Sequence, residues 1–166
     1  NAAGRVAHGR AAVDLLVAKT EVEANVLAEK VNLKNEVRKQ FDSDITEEAI
    51  AMIEANDALR TSKSTVLFKN SWHKGVIGIV AARCVEKFYR PTVILTESNN
   101  KITGSARSVN GFDLYHAILE CSDLLEKFGG HKYAAGLTLD ISNLELFQRR
   151  FEEVVSSTIT EDMLTP

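Results

Sequence analysis

Residues 20–60 carry one sustained helical pattern, and this pattern constrains the fold more than any other feature of the sequence. Apolar side chains recur mostly at four-residue spacing, and the positions between them are Glu, Lys, Asn, Arg and Gln. Residues 20–23 have the capping-box pattern that starts a helix. We therefore predict one long helix that runs to about Leu59, with a kink at residues 42–44. A helix with one narrow apolar stripe usually serves as a connector or a coiled-coil arm.

The rest of the chain alternates between short strand patterns and helix patterns. Strands are predicted at residues 65–68, 92–96, 102–109 and 137–140, with a hairpin turn at 97–101. Helices are predicted at residues 76–85, at 113–119, at 122–128 with Gly129 as the C-cap, and after a capping box at 142–145. Because a hairpin interrupts the strand–helix–strand alternation, we predict an α/β fold. It contains a mixed β-sheet flanked by helices and is preceded by the long connector helix.

Composition is ordinary for a globular domain that buries a core. Of the 166 residues, 45% are apolar and 26% are charged, and no apolar run reaches the length of a membrane span. Cys84 and Cys121 lie far apart in helix-like apolar contexts, so we expect buried thiols in a reducing compartment. We therefore expect a cytoplasmic protein without a membrane partner. The chain begins at Asn1 within a pattern, so we expect it to be a fragment of a longer protein.

Charge is unevenly distributed along the chain. The net charge is −3, and the acidic residues are concentrated in two helical segments, 20–60 and 141–166. Residues 64–140 carry nine basic and seven acidic side chains, which makes them mildly basic. This distribution permits a local phosphate site but excludes a broad basic face of the kind that drives salt-dependent DNA binding. We therefore expect weak nucleic-acid affinity from this chain alone.

Residues 129–136 combine a bare backbone with one imidazole. Gly129 and Gly130 precede His131, and two alanines and Gly136 keep side-chain bulk away from the same place. Backbone N–H groups and a cationic side chain around an anion are the usual elements of a phosphate site. The alternative interpretation is a tight turn with a surface histidine.

Two further segments are candidate phosphate contacts. Ser105, Arg107 and Ser108 lie on a predicted strand among small residues, and an arginine flanked by hydroxyls suits bidentate phosphate binding. Arg5 follows a flexible Ala-Ala-Gly segment. The alternatives are the polar outer face of an edge strand for the first segment and a plain surface arginine for the second.

Trp72 and His73 lie in a loop before a predicted helix and are the candidates for base stacking. Packing of Trp72 against the sheet is an equally good interpretation. The sequence contains no His/Cys/Asp/Glu cluster with metal-ligand spacing, no nucleophile elbow and no phosphate loop ending in Lys-Ser/Thr. The residues therefore indicate an anion-binding half-site that needs a partner domain.

Residues 129–131 together with 134–136 resemble the signature of the DHH-associated domain of the DHH phosphoesterases. Three other segments, 1–5, 72–83 and 104–114, are similar to motifs of the RecJ family of single-stranded-DNA exonucleases and occur in that family's order. The resemblance covers nearly the whole chain. It implies that residues 1–19 end a DHH catalytic domain, that 20–60 form the connector helix, and that 61–166 form the DHH-associated substrate-binding domain.

The resemblance also implies an activity, which is 5′–3′ exonuclease cleavage of single-stranded DNA in repair and recombination. The parent's own N-terminal DHH domain would hold Mn²⁺ or Mg²⁺, and this chain would hold no metal and be inactive alone. The implied partners are single-stranded DNA and that DHH domain. The alternatives are a DHH-type phosphoesterase for short RNA or cyclic dinucleotides, and a non-enzymatic module that binds nucleic acid or protein.

Roles for individual residues follow from the same resemblance. Arg5 and Arg107 would contact phosphates, and Ser105 and Ser108 would assist them. His131 would sit near the scissile phosphate and assist catalysis. Gly129 and Gly130 would let the backbone approach the substrate.

Overall fold

The long helix predicted from the sequence is present in the computed structural model, which describes residues 3–6 and 9–166. Helix α3 spans Glu21–Glu54 without interruption at residues 42–44. The backbone N–H of Glu23 donates to Oγ1 of Thr20 at 3.2 Å, as the capping pattern predicts. The helix ends before Leu59, because the Asn56 side chain accepts from the Leu59 N–H and starts a separate short helix, α4 (Asp57–Thr61).

The chain divides into two compact units, Asn1–Asp44 and Ile45–Pro166. The first contains α1 (Ala3–Val6), α2 (Arg10–Leu16) and most of α3. The second contains the remaining elements together with the last turns of α3. The division between the compact units falls within α3, because Ile45, Ala49 and Ile53 of this helix are buried in the core of the second unit.

A mixed sheet is the centre of the second unit, as predicted, and it has five strands where the sequence predicted four. The strands are β1 (Thr65–Phe68), β2 (Thr92–Ser98), β3 (Lys101–Arg107), β4 (Lys127–His131) and β5 (Ala134–Leu139). Their order across the sheet is β1-β2-β3-β5-β4, with β1 parallel to β2 and the other pairs antiparallel. The β2–β3 hairpin turns at Asn99 and Asn100, whose φ angles of 56° and 59° suit a tight turn between twisted strands.

Helices cover the two faces of this sheet unequally. Helix α5 (Ile77–Phe88) packs on one face, against β2 and β3, and the last turns of α3 share a core cluster with α5, β1 and β2. Helices α6 (Leu114–Leu119) and α7 (Leu144–Thr158) pack on the other face, where the larger core lies. Strand β2 is consequently buried on both faces from residue 92 to 96, whereas burial alternates along β3. On the same side as α5, β5 and β4 are left without a covering helix among the described residues, and α5 contacts β3 at the border of that area.

The segment before β4 differs from the prediction. Residues 122–128 do not form a helix, because only Ser122–Leu124 make a 3-10 turn and the chain then enters β4. The backbone N–H of Glu126 donates to the Thr138 carbonyl at 2.9 Å, so pairing with β5 overrides the local helical period. Gly129 is therefore a strand residue, and the turn of this hairpin lies at Lys132 and Tyr133.

The predicted capping box at residues 142–145 is also replaced by a different arrangement. Asp140 accepts from the N–H of Ser142 at 3.0 Å and from its hydroxyl at 2.8 Å, which forms a short 3-10 turn over Ile141–Asn143. Helix α7 then begins at Leu144 without a side-chain cap.

Cys84 and Cys121 are free and buried, as predicted. Burial raises the pKa of each thiol to about 11, so both behave as small apolar side chains. Among the helices within residues 3–6 and 9–166, none combines the length and the apolar character that a bilayer crossing requires.

Glu152 of α7 fixes the chain where it enters β1. Its carboxylate accepts from the backbone N–H groups of Lys63 at 2.9 Å and Ser64 at 2.8 Å. Ser64 is only 2% exposed, so water cannot replace these bonds. Burial lowers the pKa of the guanidinium of Arg90, and the charge of Glu152 opposes that shift.

Glu152→Gln is therefore expected to destabilise the second unit. The substitution replaces one carboxylate oxygen with an NH₂ group, so one backbone N–H loses its acceptor and faces another donor. We expect a loss of about 1–3 kcal/mol in the free energy of unfolding. Urea unfolding followed by circular dichroism measures this loss. Glu153→Gln changes the exposed neighbour in the same way and should leave stability within about 0.5 kcal/mol of the wild type. Equal stability of the two variants would contradict the anchoring role.

Candidate functional site

The face that continues from β3, beside α5, across β5 and β4 is here called the open face, and it gathers most of the predicted site residues. Antiparallel partners point to the same side of a sheet, so the strand register defines rows across this face. Arg107 pairs with Ala134, and Ala134 pairs with His131. Arg107 and His131 therefore lie in one row on either side of β5. Their backbones are about 10 Å apart, twice the spacing of neighbouring strands.

The row next to Arg107 and His131 has almost no side chains. Ser105 pairs with Gly136, and Gly136 pairs with Gly129. A Cβ built on Gly129 would meet nothing within 4 Å, and one built on Gly136 would meet only the Gly104 carbonyl at 3.8 Å. The backbone is thus open to close approach here, and the adjoining hollow has a volume of about 310 Å³.

Gly130 has a different role from Gly129. Its φ is +151°, and a Cβ there would lie 2.3 Å from the Ala134 carbonyl oxygen and 2.6 Å from the Cα of Ala135. Because both neighbours are backbone atoms, only glycine allows β4 to pair with β5 at this point. Gly130 is therefore required by the fold, whereas Gly129 keeps the open face bare.

Arg107 is held in place by its own strand. Its Nη1 donates to the Ser105 hydroxyl at 3.1 Å and to the Ala106 carbonyl at 2.8 Å. The hydroxyl of Ser108 donates to the Phe112 carbonyl at 3.0 Å and so stabilises the following loop. Arg107 and Ser105 therefore form a pre-positioned pair of donors of the type that binds phosphate oxygens.

Gly78, in the first turn of α5, makes room for that pair. A Cβ at this position would lie 2.9 Å from Nη2 of Arg107 and 2.9 Å from the hydroxyl oxygen of Ser105. The sequence predicts a helix at residues 76–85 but does not reveal this role of Gly78. The usable signal was its position at the start of a helix that packs against the arginine-bearing strand.

His131 lies next to the turn of the β4–β5 hairpin. Its Nδ1 accepts from the Tyr133 backbone N–H at 3.3 Å. A neutral ring that accepts at Nδ1 carries its proton on Nε2, so Nε2 is the donor it offers to an anion. The turn is fixed by two further bonds, from Ser108 N–H to the Tyr133 carbonyl and from Leu114 N–H to the Lys132 carbonyl, both at 3.1 Å.

Trp72 does not offer its ring to the open face, and His73 lies half-buried in the loop before α5. Trp72 is 4% exposed, and its indole N–H donates to Glu48 of α3 at 2.7 Å, so its ring faces are covered by protein. Bonds from Lys69 and Trp72 lower the pKa of the Glu48 carboxyl. Nδ1 of His73 accepts from the Gly75 N–H at 3.0 Å just before α5. In this structure Trp72 is a packing residue and offers no surface for a base.

Arg5 is exposed on α1 in the first unit. Asn1 and Ala2, which belong to the same predicted motif, lie outside the described residues.

The two ends of the open face differ in charge. At the end away from Arg107, Lys101 forms ion pairs with Glu126 at 2.5 Å and Asp140 at 2.9 Å. These carboxylates raise the pKa of Lys101 and neutralise its charge locally. At the other end, the guanidinium of Arg107 donates to the Ser105 hydroxyl and the Ala106 carbonyl.

No group of three or more His, Cys, Asp or Glu side chains within the described ranges, 3–6 and 9–166, is arranged to hold a metal ion. The described residues thus do not fit a resident metal, and we derive no step through one in this chain. The chemistry that the open face supports is binding and orientation of a phosphate.

Comparison with known proteins identifies relatives of the whole chain. Residues 58–157 match the family model described as the DHHA1 domain. The single-stranded-DNA-specific exonuclease RecJ of Bacillus subtilis is 39% identical over 100% of this chain and 21% of its own length. RecJ of Escherichia coli is 34% identical over 99% of this chain and 30% of its own length. The chain therefore spans between about a fifth and a third of the length of these relatives.

Solved structures agree with the sequence comparison. The crystal structure of RecJ from Thermus thermophilus in complex with Mg²⁺ has a TM-score of 0.85 and 29% identity, covering 96% of this chain and 24% of that chain. The structure of an exonuclease RecJ bound to manganese has a TM-score of 0.84 and 28% identity, covering 96% of this chain and 39% of that chain.

Gly78→Ala tests whether the first turn of α5 positions Arg107. The added methyl group would displace the Arg107 guanidinium, so the Nε–Hε signal of Arg107 in a ¹H–¹⁵N NMR spectrum should shift. The free energy of unfolding should change by no more than about 1 kcal/mol. Alanine favours the helix more than glycine does, and the displaced atoms lie at the ends of side chains that can move.

Gly129→Ala is the matched control, because a Cβ at Gly129 meets nothing within 4 Å. This variant should leave the Arg107 signal unchanged, and Arg107→Lys identifies that signal by its disappearance. An unshifted Arg107 signal in Gly78→Ala would show that Gly78 does not position the guanidinium.

Proposed function

The chain belongs to the DHHA1 domain family, and from this premise we propose that it is the substrate-binding part of a 5′–3′ single-stranded-DNA exonuclease. The relatives that match the whole chain bear the name single-stranded-DNA-specific exonuclease. The single observation that carries the proposal is the row of Arg107 and His131 beside the bare backbone at Gly129 and Gly136.

Arg107 binds one phosphate of the DNA end in this proposal. Its guanidinium is planar and carries donors in a fixed fork, which matches two oxygens of one phosphate. Ser105, which already accepts from Nη1, orients that fork and can turn its own hydroxyl proton to the ligand. Ser108 supports the pair by holding the following loop.

His131 lies near the scissile phosphate in this proposal and assists catalysis. Its Nε2–H donates to a phosphate oxygen while Nδ1 stays bonded to the Tyr133 N–H. Gly129 offers backbone without a side chain, and Gly130 keeps the strand in place. Arg5 lies in the first unit and is proposed separately as a cationic contact for a DNA phosphate.

Hydrolysis itself is assigned to another part of the parent protein. Solved structures of RecJ are complexes with Mg²⁺ or Mn²⁺, and such ions supply an activated water for attack on a phosphodiester. We assign the metal to an N-terminal DHH domain, which is also the partner of this chain. The chain's own residues grip and orient the DNA, and the chain alone does not hydrolyse it. The parent would act in cytoplasmic DNA repair and recombination.

Arg107→Gln should weaken binding of a 5′-phosphorylated thymidine tetranucleotide by about ten- to a hundredfold, because charge-assisted hydrogen bonds to the phosphate are lost. Arg107→Lys should recover only part of the affinity, since an ammonium lacks the fork. Isothermal titration at low ionic strength measures both, and the dephosphorylated oligonucleotide should bind more weakly to the wild type.

Arg149→Gln is the matched control, because Arg149 is an exposed arginine on α7, which packs on the opposite face of the sheet. This variant should bind the oligonucleotide with nearly the affinity of the wild type, reduced slightly because one positive charge is removed. Absence of binding by the wild type, or equal loss in the two glutamine variants, would overturn the proposed site. Stronger binding of a matching ribonucleotide or a cyclic dinucleotide would instead assign the face to one of those substrates.

A further inference from the structure

Tyr133 is the most exposed aromatic side chain among the described residues of the second unit, with 49% of its surface accessible. It occupies the second position of the two-residue turn between β4 and β5. Its ring lies beside that of His131, with centroids 6.3 Å apart in an edge-on arrangement. An exposed phenol ring therefore stands at the end of the open face where the phosphate contacts gather.

The backbone that carries this ring is fixed. The Tyr133 carbonyl accepts from the Ser108 N–H at 3.1 Å, so the turn is bonded directly to the residue that follows Arg107. The neighbouring carbonyl of Lys132 accepts from Leu114 at 3.1 Å, and the Tyr133 N–H donates to His131. Only the side-chain torsions of Tyr133 remain to be ordered on binding. Its ring can therefore contact a ligand at a small cost in conformational entropy.

Two cationic residues lie close to this turn. The ammonium of Lys132 lies 5.8 Å from the ring centroid, and Arg107 lies one residue before the hydrogen-bonded partner of Tyr133. A flat π-surface beside cations suits a ligand that joins an aromatic ring to an anion. In the setting of the proposed function, that ligand is a nucleotide of single-stranded DNA.

Other aromatic side chains are placed differently. Trp72 is buried in the core. Tyr115 is 38% exposed, but its ring packs 5.8 Å from that of Phe128, a strand residue whose side chain points away from the open face. Tyr133 alone among these three stands beside the Arg107–His131 row.

We propose that Tyr133 is a stacking platform for the base of the nucleotide whose phosphate lies at Arg107. The inference rests on the proposed function and deepens it, because it adds a base contact to a phosphate site. Stacking accepts any of the four bases, since each has a π-face, so the contact selects a nucleotide that carries a base without selecting its sequence. A strand end that has lost its terminal base would be held less well.

The test compares two 5′-phosphorylated thymidine tetranucleotides, one intact and one abasic at the 5′-terminal position. Tyr133→Ala should weaken binding of the intact oligonucleotide by about 5- to 150-fold, the range that loss of one base–aromatic stack produces. It should leave binding of the abasic oligonucleotide unchanged. Tyr133→Phe should behave as the wild type, because the ring is kept. A 2-aminopurine at the 5′ end should be quenched by the wild type and by Tyr133→Phe but not by Tyr133→Ala.

Tyr115→Ala is the matched control, which removes an exposed tyrosine from the other side of the sheet and should leave both affinities unchanged. Equal effects of Tyr133→Ala on the intact and abasic oligonucleotides would overturn the stacking role, as would no effect on either. If Arg107→Gln still weakens both oligonucleotides in that case, the proposed function stands and only the stacking platform fails. If Arg107→Gln has no effect on either, the proposed function itself fails.

Discussion

The pairing of β4 along β5 is the interaction on which the candidate site depends. It extends the sheet beyond β3, the last strand that α5 contacts, and so leaves one face of β5 and β4 open. It also places His131 in the same row as Arg107, although the two residues are far apart in sequence. Gly130 makes this pairing sterically feasible, because any Cβ there would overlap the backbone of β5.

Helix α5 forms the border of the open face and connects the core with the site. Its inner side packs Val80 and Cys84 into the core, which fixes the helix through apolar contacts. Its first turn reaches Arg107 and Ser105 at Gly78, where the missing side chain gives the guanidinium its place. The position of the Arg107 guanidinium thus depends on core packing through Gly78. Because the core fixes α5, it also restricts where this guanidinium can lie.

Local chemistry explains which features could be predicted from the sequence. The strand at 65–68, the Asn99–Asn100 hairpin and the cap at Asp113 follow from β-branching, turn residues and helix capping, and all three are present. Strand β4 was missed, because a segment with two glycines has low strand propensity and forms only through pairing with β5. Tyr133 was missed for the same reason, since its exposure depends on where that turn falls. Trp72 illustrates the reverse error, because a loop position does not reveal that Glu48 and the core will enclose the ring.

The central claim is that the open face at the Arg107–His131 row receives the phosphate end of single-stranded DNA. NMR chemical-shift mapping tests it most directly, by titrating a 5′-phosphorylated thymidine tetranucleotide into the ¹⁵N-labelled chain. We expect the largest shifts in the backbone amides of residues 105–108 and 129–134, and smaller shifts along α6 and α7 on the opposite side of the sheet. Shifts concentrated around the hollow lined by Phe112, His116 and Met163, or no shifts at all, would contradict the account.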